Sequence, residues 1–378
     1  MAGELKVIYN NNIIHTSTAD DTFTLNCNGK LMASDVTIQA TDVDSLTVTY
    51  GGNTIASGSG TTTKILSCDG KYMSSDVGVA VTMASGPAII TVVGLGNSDP
   101  STVTFTTTGT FNWNFAEVTV NGNVFIKIPT MYRKVEAVTN NQITSFSLSN
   151  TQVDSTYQPY PCFVNGNSVL PYVLIGKYCS SSTSVMNSVD ATPATQTTEN
   201  ARTNARALGT GYQLYDWQFQ KLFIDLALCR KEAVDFNSGQ EEIDQYLGIS
   251  HLSSNVWVDG IYHAVSRLYA CDDATKYVSS PSSVPTGYYN VATSFPTSSG
   301  NITALWYNAN HPFVNYPKTT SGATTYTTYY CDRVYYSPRN NHPFYTCVGS
   351  LGAMYGLWHI GSYTWSLSSP ARLCYRPI

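Results

Sequence analysis

The histidines are the first residues to consider for chemistry, because an imidazole can bind a metal or move a proton near neutral pH. None of the six lies in an HExxH run or in another spacing of metal ligands. The chain also lacks a GxSxG nucleophile elbow and a glycine-rich phosphate loop with lysine. The histidines for which we therefore expect structural roles are His15, His251, His263, His311, His342 and His359.

Acidic side chains offer a second kind of chemistry, since a glycosidase needs two carboxylates that converge on a cleft. We interpret the clusters "EEID" from Glu241 and "DD" at Asp272 as solvated faces. Asp259 in "VWVDG" is expected to orient a loop by accepting backbone N–H groups. Beyond Lys276 the only acidic residue is Asp332, which leaves too few carboxylates for calcium. We predict a protein that is not an enzyme and needs no metal or cofactor.

Cysteine spacing, the N-terminal stretch, the apolar runs and the net charge argue against several kinds of site and partner. The nine cysteines are scattered singly, without CxxC pairs, which favours buried free thiols over a disulfide framework or a zinc site. The start, "MAGELKVIYNNN", lacks a basic head followed by an apolar stretch, so we expect no signal peptide. No run of 18 apolar residues is present, so we expect no membrane insertion. A net charge of −5 argues against binding to nucleic acid.

The C-terminal segment has the composition of a recognition surface. Charged residues make up only 12% of the chain, whereas 14 of the 27 tyrosines lie beyond Lys276. A segment rich in Tyr, Ser, Asn, Gly, Trp and His supplies rigid aromatic area and small hydrogen-bonding groups at a low entropy cost. The alternative interpretation is a β-rich core with Tyr hydroxyl groups at its edge.

A tandem repeat precedes this segment. The stretches that start at Val7 and Val48 align without a gap at an offset of 41 residues, and both contain "GK.M.SDV". In each copy two alternating patterns, "TFTLNC" and "DVTIQA" in the first, flank an Asn-Gly or Asp-Gly pair, which predicts a hairpin. Small β modules of this kind suit a spacer or docking role. The predicted modules are two tandem repeats over 1–84 (about 7–40 and 48–81) and a β linker module over 85–120.

One helical pair is predicted in the remaining region, 121–378. The stretch "TTENARTNARALGTG" predicts a helix that ends at Gly209, and "YDWQFQKLFIDLALCRKEA" predicts a second helix with Asp216 as its N-cap. A short third helix is expected at "EEIDQYLG". One helical pair embedded among β-strands predicts an α+β fold for this region.

The region from about Asn123 to Ile378 resembles the C-type-lectin-fold variable proteins of diversity-generating retroelements, particularly those of bacteriophages of gut bacteria. The pieces that carry the resemblance are "VFIKIPTMYRKV", "YPCFV", "YVLIGKYCSSS", "GYQLYDWQFQKLF", "VWVDGI", "YYSPRNNHPF" and "GLWHIGSYTWSLSSPARLCYRP". The N-terminal pair is similar to "L...GKY...D..V" repeats in phage tail-associated proteins. The resemblance implies a C-type-lectin-like ligand-binding domain over 121–378, with a variable region at about 333–378.

The resemblance also implies which positions vary. In such proteins a reverse transcriptase copies a template repeat with errors at adenines, and the copy replaces the corresponding end of the gene. Positions implied to be fixed scaffold are Gly356, Leu357, Trp358, Trp365, Ala371, Arg372, Leu373 and Tyr375. Candidate variable, ligand-binding positions are Tyr335, Tyr336, Arg339, Asn340, His342, Ser350, Met354, His359, Ser362, Tyr363 and Thr364.

The function implied by the resemblance is that of a hypervariable phage tail adhesin. It would be made in the host cytoplasm, join other tail proteins in the virion, and bind a host cell-surface protein or glycan. We expect a homo-oligomer, and a trimer in particular. Two alternatives stay open: an enzyme of the formylglycine-generating type, which uses a cysteine pair, and a non-variable structural virion protein. Cys347 and Cys374 lie in segments that resemble the variable-protein end instead.

Overall fold

The chain divides into two compact units, Met1–Ala88 and Ile89–Ile378. The computed structural model describes residues 3–83, 87–96, 100–232, 245–250, 255–264, 267–278, 283–292, 300–321, 333–335, 342–347, 359–362 and 369–378. Of 333–335, 342–347 and 359–362 only the backbone is described.

The first unit is a sheet of six strands. They are β1 (Glu4–Tyr9), β2 (Asn12–Ser17), β3 (Asp21–Leu25), β4 (Val36–Tyr50), β5 (Asn53–Leu66) and β6 (Val77–Met83). The order is β2-β1-β4-β6-β3, and β5 pairs with β4. All pairs are antiparallel. The core takes alternate residues from both repeats, for example Val7 and Ile38 from the first and Val48 and Val79 from the second.

The two repeats exchange strands. Strand β3 of the first repeat pairs with β6 of the second, with Phe23 opposite Val79. The end of β5, in the second repeat, pairs with the start of β4, in the first, with Lys64 opposite Ile38. A shift of 41 residues converts one pairing into the other, so the two are equivalent. The prediction that each repeat forms its own hairpin is therefore wrong, because the strands on either side of the turn pair with the other repeat.

Reciprocal hydrogen bonds join the turns of the two repeats. Asp76 Oδ1 accepts from the backbone N–H groups of Cys27, at 2.9 Å, and of the residue after it, at 2.8 Å. In the opposite direction Asp35 Oδ1 accepts from the N–H groups of Cys68, at 2.8 Å, and of its successor, at 2.9 Å. Each carboxylate thus satisfies two turn donors of the other repeat, which sheet pairing leaves without a partner.

We expect Asp35→Ala and Asp76→Ala to weaken the first unit equally. Each change removes two hydrogen bonds to a charged acceptor, a loss of about 1–3 kcal/mol. Hydrogen–deuterium exchange of the full chain, read on peptides that cover β3 and β6, should become about tenfold faster or more in both variants. Asp44→Ala, at an exposed position in β4, is the control. Equal exchange in all three variants would contradict the reciprocal arrangement.

The second unit holds the remaining strands. In chain order they are β7 (Ile89–Val93), β8 (Thr104–Thr108), β9 (Ala116–Val120), β10 (Asn123–Pro129), β11 (Tyr132–Thr139), β12 (Gln142–Ser149), β13 (Gln158–Pro159), β14 (Val164–Asn165), β15 (Ser168–Val169), β16 (Tyr172–Cys179), β17 (Tyr212–Leu214), β18 (Gln245–Tyr246), β19 (Ile249–Ser250), β20 (Asn255–Ala264), β21 (Arg267–Ala270), β22 (Tyr289–Ala292), β23 (Gly300–Leu305), β24 (Pro317–Ser321), β25 (Arg333–Tyr335), β26 (His342–Cys347), β27 (His359–Ser362) and β28 (Arg372–Tyr375). The described helices are α1 (Thr198–Arg206) and α2 (Trp217–Lys231), with 3₁₀ turns at Pro100–Thr102, Pro161–Phe163 and Ala274–Lys276.

Three larger sheets organise these strands. Two have five strands, in the orders β17-β28-β16-β10-β9 and β13-β11-β12-β7-β8, and one has eight, in the order β22-β21-β20-β26-β27-β25-β23-β24. The residues predicted as a separate linker module, 85–120, contribute strands to both five-stranded sheets, because β7 pairs with β12 and β9 pairs with β10.

Both helices begin where the sequence predicts, and α2 also ends at Lys231 as expected, whereas α1 ends early. Asp216 caps α2, since its Oδ1 accepts from the N–H groups of Gln218, at 3.0 Å, and Phe219, at 3.1 Å. Helix α1 ends at Arg206, three residues before the predicted end. The prediction of a third helix is wrong for the part of that stretch that the structure describes. Residues 245–250 form the hairpin β18–β19 around Leu247, whose φ is +56°.

The α+β prediction is wrong, because the fold is mostly β. Among the residues that the structure describes, strands account for 50% and helices, with the 3₁₀ turns, for 11%. Helix α2 is buried over 13 of its 15 residues, Trp217 to Cys229, so it acts as a core element of a β structure. The prediction gave most weight to two helices with recognisable caps and apolar runs and too little to many short strands, whose individual patterns are weak.

Candidate ligand-binding sites

Four candidate variable positions lie on three neighbouring strands of the eight-stranded sheet. Strand β27, which carries His359 and Ser362, lies between β25, which ends at Tyr335, and β26, which begins at His342. It pairs in parallel with β25 and antiparallel with β26. In the backbone register Tyr335 lies opposite Gly361. The topology therefore brings these four positions to one part of one sheet.

The remaining predicted positions divide into two sets. Outside the described residues lie the candidate variable positions Tyr336, Arg339, Asn340, Ser350, Met354, Tyr363 and Thr364 and the implied scaffold positions Gly356, Leu357, Trp358 and Trp365. The described scaffold positions are Ala371, Arg372, Leu373 and Tyr375; the first three are buried and Tyr375 is partly buried.

Arg372 anchors the end of the chain inside the protein. Its strand, β28, lies between β16 and β17 in a five-stranded sheet. The guanidinium group donates to the carbonyl oxygens of Gly176, at 2.6 Å, Lys177, at 3.0 Å, and Ser250, at 2.7 Å. Because Arg372 is only 2% exposed, each of these bonds replaces one that water would otherwise make.

A second arginine near the end of the chain, Arg376, joins the buried carboxylate of Asp216. Its NH2 lies 3.3 Å from Asp216 Oδ2. The same oxygen accepts from Gln213 Nε2, at 2.7 Å, and from the hydroxyl of Tyr277, at 3.0 Å. Burial raises the pKa of Asp216, while Arg376 and the hydrogen bonds act in the opposite direction. The first turn of α2 is therefore connected to β17, to the residue that follows β28 and to the residue that follows the 3₁₀ turn Ala274–Lys276.

Asp259 forms a bidentate ion pair with Arg202 of α1. Nε of Arg202 lies 2.6 Å from Oδ2, and NH2 lies 2.7 Å from Oδ1. Oδ1 also accepts from the N–H of Gly260 at 3.0 Å. The expected backbone interaction of Asp259 is thus accompanied by an ion pair that the sequence did not indicate.

A buried charge cluster lies between β11 and α2. The carboxylate of Asp225 accepts from the ammonium group of Lys221, at 2.8 Å, and from the hydroxyl of Tyr160, at 2.7 Å. Nε of Arg133 lies 3.2 Å from the same carboxylate. Two cations therefore share one anion in the interior. Burial and the nearby Arg133 lower the pKa of Lys221 to about 8, against the opposing effect of Asp225.

Arg133 also holds the loop 306–316. Its NH1 donates to the carbonyl oxygen of Pro312, at 3.0 Å, and to Oδ1 of Asn315, at 3.2 Å. Asn315 in turn donates through Nδ2 to the carbonyl oxygen of Trp306, at 3.0 Å. The charge cluster therefore positions a loop far from it in sequence.

A cavity of about 430 Å³ lies between this loop, the first turn of α2 and the segment around Asp272. We call it the Asp272 cavity. Its lining residues are Gln158, Pro159, Pro161, Val164, Gly166, Trp217, Gln218, Asp272, Tyr289, Asn310, His311, Pro312, Phe313 and Val314. Most of the wall is apolar or aromatic, with a few polar groups, which is the usual make-up of a small-ligand site.

Three side chains form the polar side of the Asp272 cavity. The hydroxyl of Tyr289 donates to Asp272 Oδ1 at 2.5 Å. The ring of His311 stacks on that of Tyr289, with centroids 3.5 Å apart and planes inclined by 9°. Burial lowers the pKa of His311, and the Asp272 carboxylate acts in the opposite direction. Asp272 is exposed, as expected of a solvated residue. Sequence reasoning missed the group because no local motif links its three segments.

The described residues offer little sign of metal or thiol chemistry. Within the described ranges, no group of three or more His, Cys, Asp or Glu side chains is placed to hold a metal ion. Cys374 is fully buried, and burial raises the pKa of its thiol well above the ordinary value, the opposite of a reactive cysteine. Among the helices described, none is long and apolar enough to cross a membrane.

Comparison of the chain with models of protein families and with curated proteins found no match.

The lowered pKa of Lys221 predicts a pH-dependent stability. Between about pH 8 and pH 10.5 the unfolded chain binds a proton at Lys221 that the folded chain does not, so this group makes the protein more stable as pH rises. The gain is at most about 3 kcal/mol, from about 1.4 kcal/mol per pKa unit. In Lys221→Met, the free energy of unfolding measured with urea should rise less over this window than in the wild type.

Lys127→Met is the control for that experiment, because it removes the same charge from an exposed position. It should keep the pH profile of the wild type. If the profiles of Lys221→Met and Lys127→Met coincide, Lys221 keeps its proton in the folded protein and the interpretation of the charge cluster is wrong.

Proposed function

We propose that this protein is a receptor-binding adhesin of a bacteriophage tail whose C-terminal region is diversified by a retroelement. In this proposal the protein is part of the virion, assembles as a homo-oligomer such as a trimer, and binds a host cell-surface protein or glycan. The support comes from the sequence motifs that resemble retroelement variable proteins and from the Tyr-rich composition. The proposal does not depend on the α+β assignment.

One structural observation supports the proposal most. A diversified region must combine positions that tolerate change with positions that do not. Tyr335, His342, His359 and Ser362 lie on three adjacent strands, β25 to β27, whereas the following segment buries Arg372 in a separate sheet. Substitution at Arg372 would leave several buried carbonyl oxygens without donors, so this segment suits a scaffold.

The rival functions receive less support. An oxidase of the formylglycine-generating type needs an accessible reactive cysteine pair, and Cys374 is buried with a raised pKa. A non-variable structural virion protein remains the main alternative, since it would have the same architecture without binding a receptor.

The nucleotide sequence downstream of the coding region tests the retroelement part of the proposal. We expect a near-copy of the segment that encodes about residues 333–378, with differences concentrated at adenines of the copy, and a reverse transcriptase gene nearby. Finding neither would contradict diversification and would leave an adhesin of constant sequence as the remaining form of the proposal.

Substitutions at the end of the chain test the division between scaffold and surface. Trp358→Ala and Trp365→Ala should each cost about 3–5 kcal/mol if the proposal is right that these tryptophans are buried scaffold. His359→Ser and Tyr363→Ser should change stability by only about 0.5 kcal/mol but weaken attachment to host cells, with a loss of about 2 kcal/mol or more in binding if either is an interface hot spot. Thermal melting and an attachment assay measure the two effects.

Val185→Ser is the matched control, because Val185 is an apolar side chain of the same unit that is 52% exposed. It should leave both melting and attachment unchanged. The assignment of scaffold and surface positions is wrong if the His359 and Tyr363 variants unfold, or if the tryptophan variants fold normally and lose attachment.

A further inference from the structure

We propose that the Asp272 cavity binds one neutral sugar unit. This inference rests on the contacts within the cavity and not on the proposed phage function. It concerns a site distinct from the candidate variable positions, none of which lines the cavity.

The cavity walls are held in place before any ligand arrives. On one side Trp217 Nε1 donates to the carbonyl oxygen of Cys271 and Gln218 Nε2 to that of Asp272, both at 2.9 Å. On the other side Arg133 donates to the carbonyl oxygen of Pro312 at 3.0 Å. Trp217 and Arg133 are almost fully buried, at 2% and 3% exposure. A site whose supporting groups are rigid loses little entropy when a ligand binds.

Hydrogen-bonding groups remain available on the polar side. Oδ1 of Asp272 accepts a hydrogen bond from Tyr289, whereas Oδ2 has no hydrogen-bond partner within the described part of the chain. The same holds, among the described residues, for the ring nitrogens of His311 and the side-chain amide of Asn310. One carboxylate oxygen, one imidazole and one amide supply both acceptors and donors, which is what a ring of hydroxyl groups requires.

The charge of the lining selects among small polar ligands. The lining contains the carboxylate of Asp272 and neither Lys nor Arg. A phosphate, a sulfate or an acidic sugar would therefore meet a like charge without a cation to balance it, which disfavours such ligands. Because the wall carries three prolines, Phe313 and Val314, a ligand must also present an apolar face. A neutral pyranose has an apolar C–H face and polar edges.

The size of the cavity agrees with one sugar ring. At about 430 Å³ it lies near the lower end of the range for small-ligand sites, roughly 300–1,000 Å³. Its apolar groups come mainly from 159–164 and 312–314, and its polar groups from Asp272, Tyr289 and the neighbouring His311. A ligand with one apolar and one polar side is therefore favoured over a uniformly apolar one.

Saturation-transfer NMR on the full chain tests the proposal with the methyl glycosides of glucose, galactose, mannose and N-acetylglucosamine. At least one should bind. Asp272→Asn keeps an acceptor for Tyr289 but removes the charged acceptor from the cavity, and should weaken binding about tenfold or more. Asp273→Asn is the control, because it makes the same change at the neighbouring residue. The Asp273 carboxylate accepts from the N–H of Thr275, and this variant should bind like the wild type.

Two further arms decide the outcome. Asn310→Trp places a large ring at an exposed lining position and should abolish binding, whereas Ala309→Trp, also exposed but outside the lining, should not. N-acetylneuraminic acid and choline serve as the anionic and cationic probes. The proposal is overturned if no neutral glycoside binds in a manner sensitive to Asp272→Asn and Asn310→Trp, or if either charged probe binds more tightly. Absence of a template repeat near the gene would not affect it.

Discussion

The carboxylate of Asp216 has to be satisfied inside the protein, and much of the second unit is arranged around that requirement. A buried charge is costly unless it is paired and hydrogen-bonded. Two donors come from the first turn of α2, and the others come from Gln213, Tyr277 and Arg376, which belong to separate parts of the chain. The start of α2 is thereby fixed, and with it Gln218, whose amide holds the main chain at Asp272.

The arginines extend the same principle to the loops. Arg133, Arg202, Arg372 and Arg376 are all buried, at 9% exposure or less, and each bonds to an acceptor far away in sequence. A guanidinium group can serve several acceptors at once, so one residue ties two or three segments together. In this unit of many short strands, these contacts hold together segments that are distant in sequence. Two of the arginines, Arg372 in β28 and Arg376 just after it, hold that strand in the interior.

Local signals in the sequence predicted the start of α2 correctly. Asp216 as an N-cap and the start of α2 follow from a capping residue next to an apolar run, and both are confirmed. The strand exchange could not be predicted, because β3 carries the same alternating pattern whether it pairs with its own repeat or with the other. The Asp272 cavity was missed for a related reason. Its polar side joins Asp272, Tyr289 and His311 only through tertiary contacts, and the anchor of one wall, Arg133, lies far upstream.

The exchanged repeats show why two copies are needed. A single copy would leave its strand of the β3 type without a neighbour, and the turn after that strand without the aspartate that accepts its N–H groups. An unpaired strand edge and unsatisfied turn donors both cost free energy or invite association with another chain. Two copies in one chain satisfy these needs reciprocally. Asp35 accepts from the turn of the second repeat, and Asp76 accepts from the turn of the first. The pair, and not the single repeat, is therefore the smallest unit of this sequence in which each strand of the β3 type has a neighbour and each turn an aspartate acceptor.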